Sequence, residues 1–254
     1  FVYQGKFTGA GSPNGSGDFA VFKDEEGVAY HIAVRKPDKA VVVGRHTPTQ
    51  HLPNDTIHQI VSGSPLLEGI GSVDIVSMGR QTALDEAERA ILTLGLRGID
   101  VEPGFGSPFR HADDPVFFPL YDLLSALNVP LFLMSGPTTP DPRYNDPAPV
   151  ANVARQFPRL KIGVFHGFWP QVAGIIGVAF RHENVFLIPD MYLFQPGSQL
   201  YIEAANSFLA DQLLFGSSYP FRPIRQSIDD LQGLGLKDSV LPKVLHDSAA
   251  RLLN

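Results

Sequence analysis

Short apolar runs alternate along the chain with longer amphipathic runs, a pattern typical of a parallel sheet covered by helices. Runs such as Ala40–Val43 and Val185–Ile188 contain no polar residue, so we expect these strands to be buried on both faces. Eight segments are predicted strands, the first being the weakest: Val2–Phe7, Ala40–Gly44, Leu67–Val73, Gly98–Glu102, Pro130–Ser135, Lys161–His166, Val185–Pro189 and Leu213–Ser218.

Amphipathic segments between these strands predict helices. In Thr82–Gly95, apolar residues recur at helical spacing and acidic residues occupy the other face. Asp114-Pro115 and Asp146-Pro147 each place a capping acid before a proline, which indicates helix starts near residues 115 and 147. The other predicted helices are Phe22–Arg35, Trp169–His182, Gln199–Leu209, Ile224–Leu231 and Ser239–Leu253.

Eight strand–helix units predict an α/β fold in which residues 1–254 form a single (β/α)8 TIM barrel. The Gly-, Ser- and Pro-rich stretch Thr8–Gly17 predicts an irregular N-terminal segment. An open, doubly wound sheet is the alternative, because one sequence does not reveal the order of its strands.

Composition narrows the functional classes. The chain has 44% hydrophobic and 18% charged residues, as expected of a globular protein, and it has no cysteine, which excludes disulfides and thiolate metal ligands. A net charge of −6 without a Lys/Arg-rich run argues against nucleic-acid binding. No apolar run approaches the ~20 residues of a membrane helix, and we expect a cytoplasmic protein. The chain begins at Phe1 rather than Met, which fits a processed or trimmed N terminus.

Polar residues at the carboxyl ends of barrel strands are the candidates for chemistry, because those ends share one mouth. The residues at these positions are Arg45, His46, Asp74, Glu102, Ser135, His166, Asp190 and Ser218.

Several ordered motifs over residues 40–254 resemble the amidohydrolase-related family, which includes aminocarboxymuconate-semialdehyde decarboxylase, ortho-hydroxybenzoate decarboxylases and a number of hydrolases. The motifs are Val41–Arg45 with Pro53-Asn54-Asp55, Leu94-Gly95-Leu96-Arg97-Gly98, Phe165-His166-Gly167-Phe168-Trp169-Pro170, Asn184-Val185-Phe186-Leu187, Leu214-Phe215-Gly216-Ser217-Ser218-Tyr219-Pro220-Phe221 and Ala249-Ala250-Arg251-Leu252-Leu253.

The resemblance implies a divalent metal, often zinc, held by a His-x-His pair on the first strand, a His on each of the fifth and sixth strands and an Asp on the eighth. His166 stands at the sixth-strand position, but Met134 replaces the fifth-strand His, Ser218 replaces the acid, and the chain has no His-x-His. A catalytic zinc needs about three protein ligands. We therefore expect the metal site to be lost. A retained metal would need His166 together with Asp190 or Glu102, and a longer chain with an upstream His-x-His would restore the usual site.

The resemblance and the strand ends together nominate His166, Asp190 and Ser218 as catalytic residues. Each has a structural alternative: a histidine bonded to a carbonyl, a helix-capping acid, and a serine left after loss of the acid. The predicted substrate-binding residues would hold a substrate carboxylate, provide a buried acid or form an aromatic wall. In the structural alternative, they form ion pairs with neighbouring residues or pack in the core. These residues are Arg45, Glu102, Trp169, Tyr192, Tyr219 and Arg222.

The sequence thus predicts an enzyme that acts on a small carboxylated substrate, aromatic or cyclic, by hydrolysis or non-oxidative decarboxylation, as the resemblance implies. The alternative is a catalytically degenerate barrel that binds a small molecule or serves as a scaffold, because a fold by itself does not define chemistry. Homo-oligomerisation would fit the family.

Overall fold

Six parallel strands form the sheet of the computed structural model, which describes residues 39–254. The strands pair in sequence order, β1 to β6. Their bounds are β1 Ala40–Val43, β2 Leu67–Ser72, β3 Ile99–Val101, β4 Leu131–Met134, β5 Ile162–Phe165 and β6 Val185–Ile188. Each lies inside a predicted strand, and helices follow the strands around a curled sheet, so the fold is a TIM barrel as predicted.

The predicted strand Leu213–Ser218 was wrong in extent. Only Leu213 bridges to Leu187 of β6, in parallel. Leu214 donates its N–H to Leu187, but the N–H of Phe215 donates to the carbonyl of Val244 at 2.8 Å, so the segment leaves the sheet at that point. Three further predictions lie outside the described residues: the strand Val2–Phe7, the loop Thr8–Gly17 and the helix Phe22–Arg35.

Helices pack on the outer face of the sheet. Their bounds are α1 Asn54–Ser62, α2 Ile75–Met78, α3 Arg80–Leu92, α4 Phe118–Leu127, α5 Ala148–Gln156, α6 Val172–Arg181, α7 Gln199–Ala205, α8 Ile224–Gln232 and α9 Ser248–Leu253. The two predicted caps are present: Asp114 accepts the N–H of Val116 and Asp146 accepts the N–H of Ala148, both at 3.0 Å.

The sequence analysis did not predict α1 and α2, and it placed some helix ends at the wrong residues. Helix α1 follows Pro53 and has no side-chain cap, so its start carries no capping signal. The predicted helix Trp169–His182 begins only at Val172, because a 3-10 turn over His166–Phe168 comes first. A π-helical turn, Lys243–Asp247, interrupts the predicted helix Ser239–Leu253.

Two apolar layers make the core. One lies between the sheet and the helices, and the other fills the barrel interior with Ile70, Phe132, Phe165 and Phe186. Phe132 and Phe165 stack with ring centroids 5.1 Å apart. A β-carbon at Gly163 would lie 2.7 Å from the Phe132 ring, so this ring occupies the space that a side chain would need. The interior is therefore packed with apolar side chains.

Within residues 39–254, no helix is both long and apolar enough to cross a membrane.

Candidate functional site

His166 and Asp190 follow directly on neighbouring strands, β5 and β6, and their side chains meet. Nδ1 of His166 lies 3.1 Å from Oδ2 of Asp190, and the same oxygen accepts the backbone N–H of His166 at 3.2 Å. The Nδ1–Oδ2 contact is close but not aligned as a hydrogen bond. Such contacts commonly tighten when substrate binds. The His166 side chain is 19% exposed, so solvent reaches it.

The backbone is left-handed at all three predicted catalytic residues. The φ angles are +61° at His166, +56° at Asp190 and +51° at Ser218, and Phe168 has +58°. Residues with side chains adopt this region at a cost of order 1–3 kcal/mol, and such residues cluster at functional sites. The clustering of this conformation on the candidate residues supports a functional role for this end of the barrel.

Hydrogen bonds from two neighbouring side chains hold the turn that carries His166. Ser135 Oγ, after β4, donates to the carbonyl of Phe165 at 2.6 Å and accepts the N–H of Phe168 at 2.9 Å. Tyr201 of α7 donates its hydroxyl proton to the carbonyl of Gly167 at 2.7 Å. Ser135 was a candidate from its strand-end position, but this role for it and the role of Tyr201 carry no signal in the sequence pattern.

Trp169 and Tyr192 form the aromatic wall beside this pair. Their rings stack 5.4 Å apart with an interplanar angle of 13°, and the edge of one ring meets the face of the other between His166 and Tyr192, 5.1 Å apart. Burial, and secondarily the charge of Asp190, raises the pKa of Tyr192 to about 12, so its hydroxyl keeps its proton at neutral pH. The wall offers a flat apolar face next to an imidazole.

Ser218 approaches the same site from the segment after Leu214. Its Oγ lies 3.5 Å from the backbone N of Met191, the residue after Asp190. The structure thus brings His166, Asp190 and Ser218 together, although their catalytic roles remain a prediction. Tyr219 follows in the same segment, where its N–H donates to Oγ of Ser217 at 3.2 Å.

Arg45 and Glu102 form a separate ion pair at the ends of β1 and β3. Nε of Arg45 donates to Oε1 of Glu102 at 2.9 Å, and NH2 donates to Oε2. The Glu102 side chain is only 1% exposed, whereas that of Arg45 is 28% exposed. Both residues were predicted to bind substrate, and here each neutralises the other.

Asp100 of β3 is fully buried, and neither of its carboxyl oxygens has a hydrogen-bond partner in the part of the chain that the structure describes. Burial first, and then the nearby Glu102, raises the pKa of Asp100 well above its usual range, while Arg45 opposes this shift. A buried carboxyl without partners favours its neutral form. The sequence analysis did not select Asp100 as a candidate site residue, because Asp100 lies inside a strand and not at its end.

Arg222 contacts Asp230 and Phe194 rather than the His166 pair. Its NH2 donates to Oδ2 of Asp230, and its guanidinium lies 4.0 Å from the centre of the Phe194 ring. Phe194 ends the turn that begins at Asp190, so Arg222 packs against the end of that turn. A carboxylate substrate would have to compete with Asp230 for this guanidinium.

The described donors do not fit a catalytic metal. Met134 ends β4 where the resemblance expects a histidine, and Ser218 offers a neutral hydroxyl where it expects an acid. Among residues 39–254, no three His, Asp or Glu side chains are arranged to hold a metal ion. His166 and Asp190 alone fall short of the usual three ligands. Loss of the metal remains a prediction.

Comparison with known proteins places these observations in a family. A profile of the amidohydrolase family matches residues 63–254. An uncharacterized TIM-barrel protein from Bordetella bronchiseptica is 35% identical, with a TM-score of 0.85, over 91% of this chain and 83% of that one. A search of curated protein sequences gave no match.

Two more distant structures share the fold. A dihydroxybenzoic acid decarboxylase from Polaromonas sp. JS666, solved with manganese and the inhibitor 2-nitroresorcinol, is 17% identical over 92% of this chain and 86% of that one, with a TM-score of 0.70. A probable 2-pyrone-4,6-dicarboxylic acid hydrolase from Acinetobacter baumannii, with citric acid bound, is 12% identical over 99% and 96%, with a TM-score of 0.69.

Proposed function

Because the chain belongs to the amidohydrolase family, we propose that it is an enzyme that acts on a small carboxylated molecule, aromatic or cyclic, with His166 and Asp190 as its acid–base pair. The observation that carries this proposal is the 3.1 Å approach of the His166 imidazole to the Asp190 carboxylate. The left-handed backbone at both residues supports it, because strained conformations are retained where function requires them.

Asp190 would hold the proton of His166 on Nδ1, which leaves Nε2 to exchange a proton with substrate. In an acid–base pair of this kind, the carboxylate orients the imidazole and stabilises its protonated form. The wall of Trp169 and Tyr192 would accept the flat face of a ring beside the imidazole.

Non-oxidative decarboxylation is our first choice of reaction. Protonated His166 donates its Nε2 proton to the ring carbon that bears the carboxylate. The bond from that carbon to the carboxylate then breaks, its electron pair returns to the ring, and CO₂ leaves. Uptake of one proton from water restores His166. The dihydroxybenzoic acid decarboxylase from Polaromonas, which was solved with manganese and the inhibitor 2-nitroresorcinol, has the same fold and supports this choice.

Hydrolysis is the second candidate, supported by the fold it shares with the Acinetobacter hydrolase. There, neutral His166 takes a proton from water as the water attacks an ester or amide carbonyl, and it returns that proton to the leaving group. Both reactions use the same pair, so the pair alone does not select between them.

A non-catalytic binding barrel is the alternative function, and the ion pairs of two predicted substrate-binding arginines bear on it. Arg45 is paired with Glu102 and Arg222 with Asp230, so each guanidinium already has a carboxylate partner. The predicted substrate-binding roles of Arg45, Glu102 and Arg222 therefore depend on substrate displacing or joining these partners.

The test is a substrate panel of hydroxybenzoates, lactones and amides in D₂O, with products identified by mass spectrometry and NMR. Decarboxylation places one deuterium on the carbon that lost CO₂, and hydrolysis places none on carbon. We expect His166→Ala and Asp190→Asn to lower kcat by about 10²- to 10⁴-fold. His182→Ala, which removes an imidazole from the end of α6, is the control and should leave kcat unchanged. Equal activity of His166→Ala and the unsubstituted protein would refute the proposed pair, and no turnover of any compound would favour the binding barrel.

A further inference from the structure

A cavity lies beside the carboxyl end of β1, and the described residues that line it do not include His166 or Asp190. It has a volume of about 470 Å³ and opens between the loop after β1, the start of α1 and the outer face of α3. Pockets for small molecules typically measure about 300–1,000 Å³. The cavity is therefore large enough for a small organic ligand.

The charged groups of this cavity are mostly acidic. Among residues 39–254, its lining contains the carboxylates of Asp55, Asp85 and Glu86 and one guanidinium, that of Arg89. Three carboxylates and one cation leave a net charge of −2, with imidazoles counted as neutral. Because Arg89 holds the pKa values of Asp55 and Glu86 below their usual range, both carboxyls are ionised at neutral pH.

Arg89 is fully engaged by carboxylates of the cavity itself. It donates to both oxygens of Asp55, at 3.0 and 2.6 Å, and to both oxygens of Glu86, at 2.7 and 3.0 Å. An incoming anion would have to displace one of these carboxylates. Asp85, by contrast, is exposed and accepts one hydrogen bond, from Gln81, in the described contacts.

Two stacked imidazoles complete the lining. The rings of His46 and His51 lie 4.0 Å apart at an angle of 21°. A backbone bridge between the two residues and a hydrogen bond from Leu52 N to Arg45 O at 2.9 Å fix the loop that carries them. Burial, and then His51, lowers the pKa of His46, so this ring is neutral at neutral pH and presents a π-face and a lone pair.

The floor of the cavity is rigid. Asn54 is buried, and its side chain accepts the N–H of Ser72 at 2.8 Å, donates to the Ser72 carbonyl at 3.2 Å and donates to Glu86 Oε1 at 2.7 Å. These bonds tie α1 and α3 to the end of β2. The carboxylates and imidazoles are thus presented by a preformed site.

We propose that this cavity binds a small organic cation, an amine or a guanidinium compound, whose charge lies among Asp55, Asp85 and Glu86 and whose carbon chain lies against His46 and His51. An ammonium group is attracted by carboxylates and by aromatic faces alike. A metal ion is the weaker fit, because the described residues contain no three donors arranged to hold one.

Isothermal titration of the full chain at low ionic strength tests this proposal with three probes of equal carbon-chain length. They are 1,4-diaminobutane, 1,4-butanediol and succinate, which carry positive, zero and negative charge. We expect saturable binding of the diamine alone. Tighter binding of succinate or of the diol, or no binding of the diamine, would overturn the proposal.

Two variants locate the binding. Asp85→Asn should weaken diamine binding about fivefold, as expected for loss of one partly exposed charge contact. Glu88→Gln removes a charge from the same helix outside the cavity lining and is the matched control. Equal effects of the two variants would show a diffuse charge effect and sink the proposal.

Competition with zinc tests whether the cavity is a metal site instead. His51→Ala should weaken binding of the diamine without making the protein bind zinc, and zinc chloride should not compete with the diamine. Competition by zinc that His51→Ala abolishes would replace the proposed cation site with a metal site. His166→Ala should leave diamine binding unchanged, so failure here is distinguishable from failure of the proposed enzymatic activity.

Discussion

Gly216 and Asp190 share a space that has no room for another atom. A β-carbon built on Gly216 would lie 1.9 Å from Oδ1 of Asp190, far inside contact distance. Asp190 is the residue that approaches His166, so the missing side chain at Gly216 sets the position of the proposed acid–base pair.

Gly216→Ala should therefore displace the Asp190 carboxylate from His166. Misplacement of a catalytic group by about 1 Å lowers rates by about 100-fold, and we expect kcat to fall to that extent. The measurement is steady-state kinetics on whichever substrate the panel identifies. Gly177→Ala is the control: it lies in α6 with nothing within 4 Å of the added carbon, and it should stabilise the protein by about 0.5–1 kcal/mol with kcat unchanged. Full activity of Gly216→Ala would show that the position of Asp190 does not matter.

Ser135→Ala should loosen the turn that carries His166. The substitution removes the acceptor of the Phe168 N–H and the side-chain donor to the Phe165 carbonyl. Ser135 itself is only 2% exposed. A buried group left without its partner costs about 1–3 kcal/mol, which urea unfolding would detect, and kcat should fall as well. Ser62→Ala, at the exposed end of α1, should change neither quantity. Loss of stability without loss of activity would limit Ser135 to a structural role.

Asp100→Asn should stabilise the protein at neutral pH. Below about pH 3.8 the carboxyl is protonated in both the folded and the unfolded states, so its ionisation makes no difference there. Above that pH the unfolded chain ionises while the folded chain, with its raised pKa, keeps the proton. Stability of the unsubstituted protein therefore falls as pH rises towards the folded pKa, and Asn avoids this loss.

The measurement for Asp100→Asn is the free energy of unfolding from pH 4 to pH 8, relative to the unsubstituted protein. Asp55→Asn is the comparison: Arg89 lowers the pKa of Asp55, so the contribution of this carboxylate is lost only below its unfolded pKa of 3.8, and the difference should stay nearly constant from pH 4 to pH 8. A constant difference across this range for Asp100→Asn would contradict the assignment of a neutral buried carboxyl.

Arg45→Met should be markedly destabilising because it removes the ion-pair partner of the Glu102 carboxylate, whose side chain is 1% exposed. Removal of one partner of a buried pair costs about 3 kcal/mol or more, whereas replacement of both partners by apolar side chains is often close to neutral. We expect the double variant Arg45→Met/Glu102→Leu to recover much of the lost stability in urea unfolding. A double variant no more stable than Arg45→Met would mean that the pair is not the source of the effect.

Elemental analysis of protein purified without chelators should find zinc and manganese well below one equivalent per chain. The reason is the shortage of donors around His166, since a catalytic zinc takes about three protein ligands. Treatment with a chelator should likewise leave the thermal unfolding temperature unchanged. One equivalent of metal that disappears in His166→Ala would restore the metal-dependent interpretation.

The barrel and the location of the candidate pair follow from the sequence because both depend on local pattern. Apolar runs at regular spacing define β1 to β6, and in parallel strands the carboxyl ends share one edge, so His166 and Asp190 had to emerge close together. Only the tertiary structure decided which groups touch. The pairing of Arg45 with Glu102 and the close approach of Gly216 to Asp190 join residues that are far apart along the chain. The carboxyl of Asp100 has no hydrogen-bond partner among residues 39–254, and no periodicity in the sequence records any of these relationships. The strand predicted at Leu213–Ser218 failed for the same reason: its residues have strand character, but after Leu214 the backbone finds its hydrogen-bond partner at Val244 instead of in the sheet.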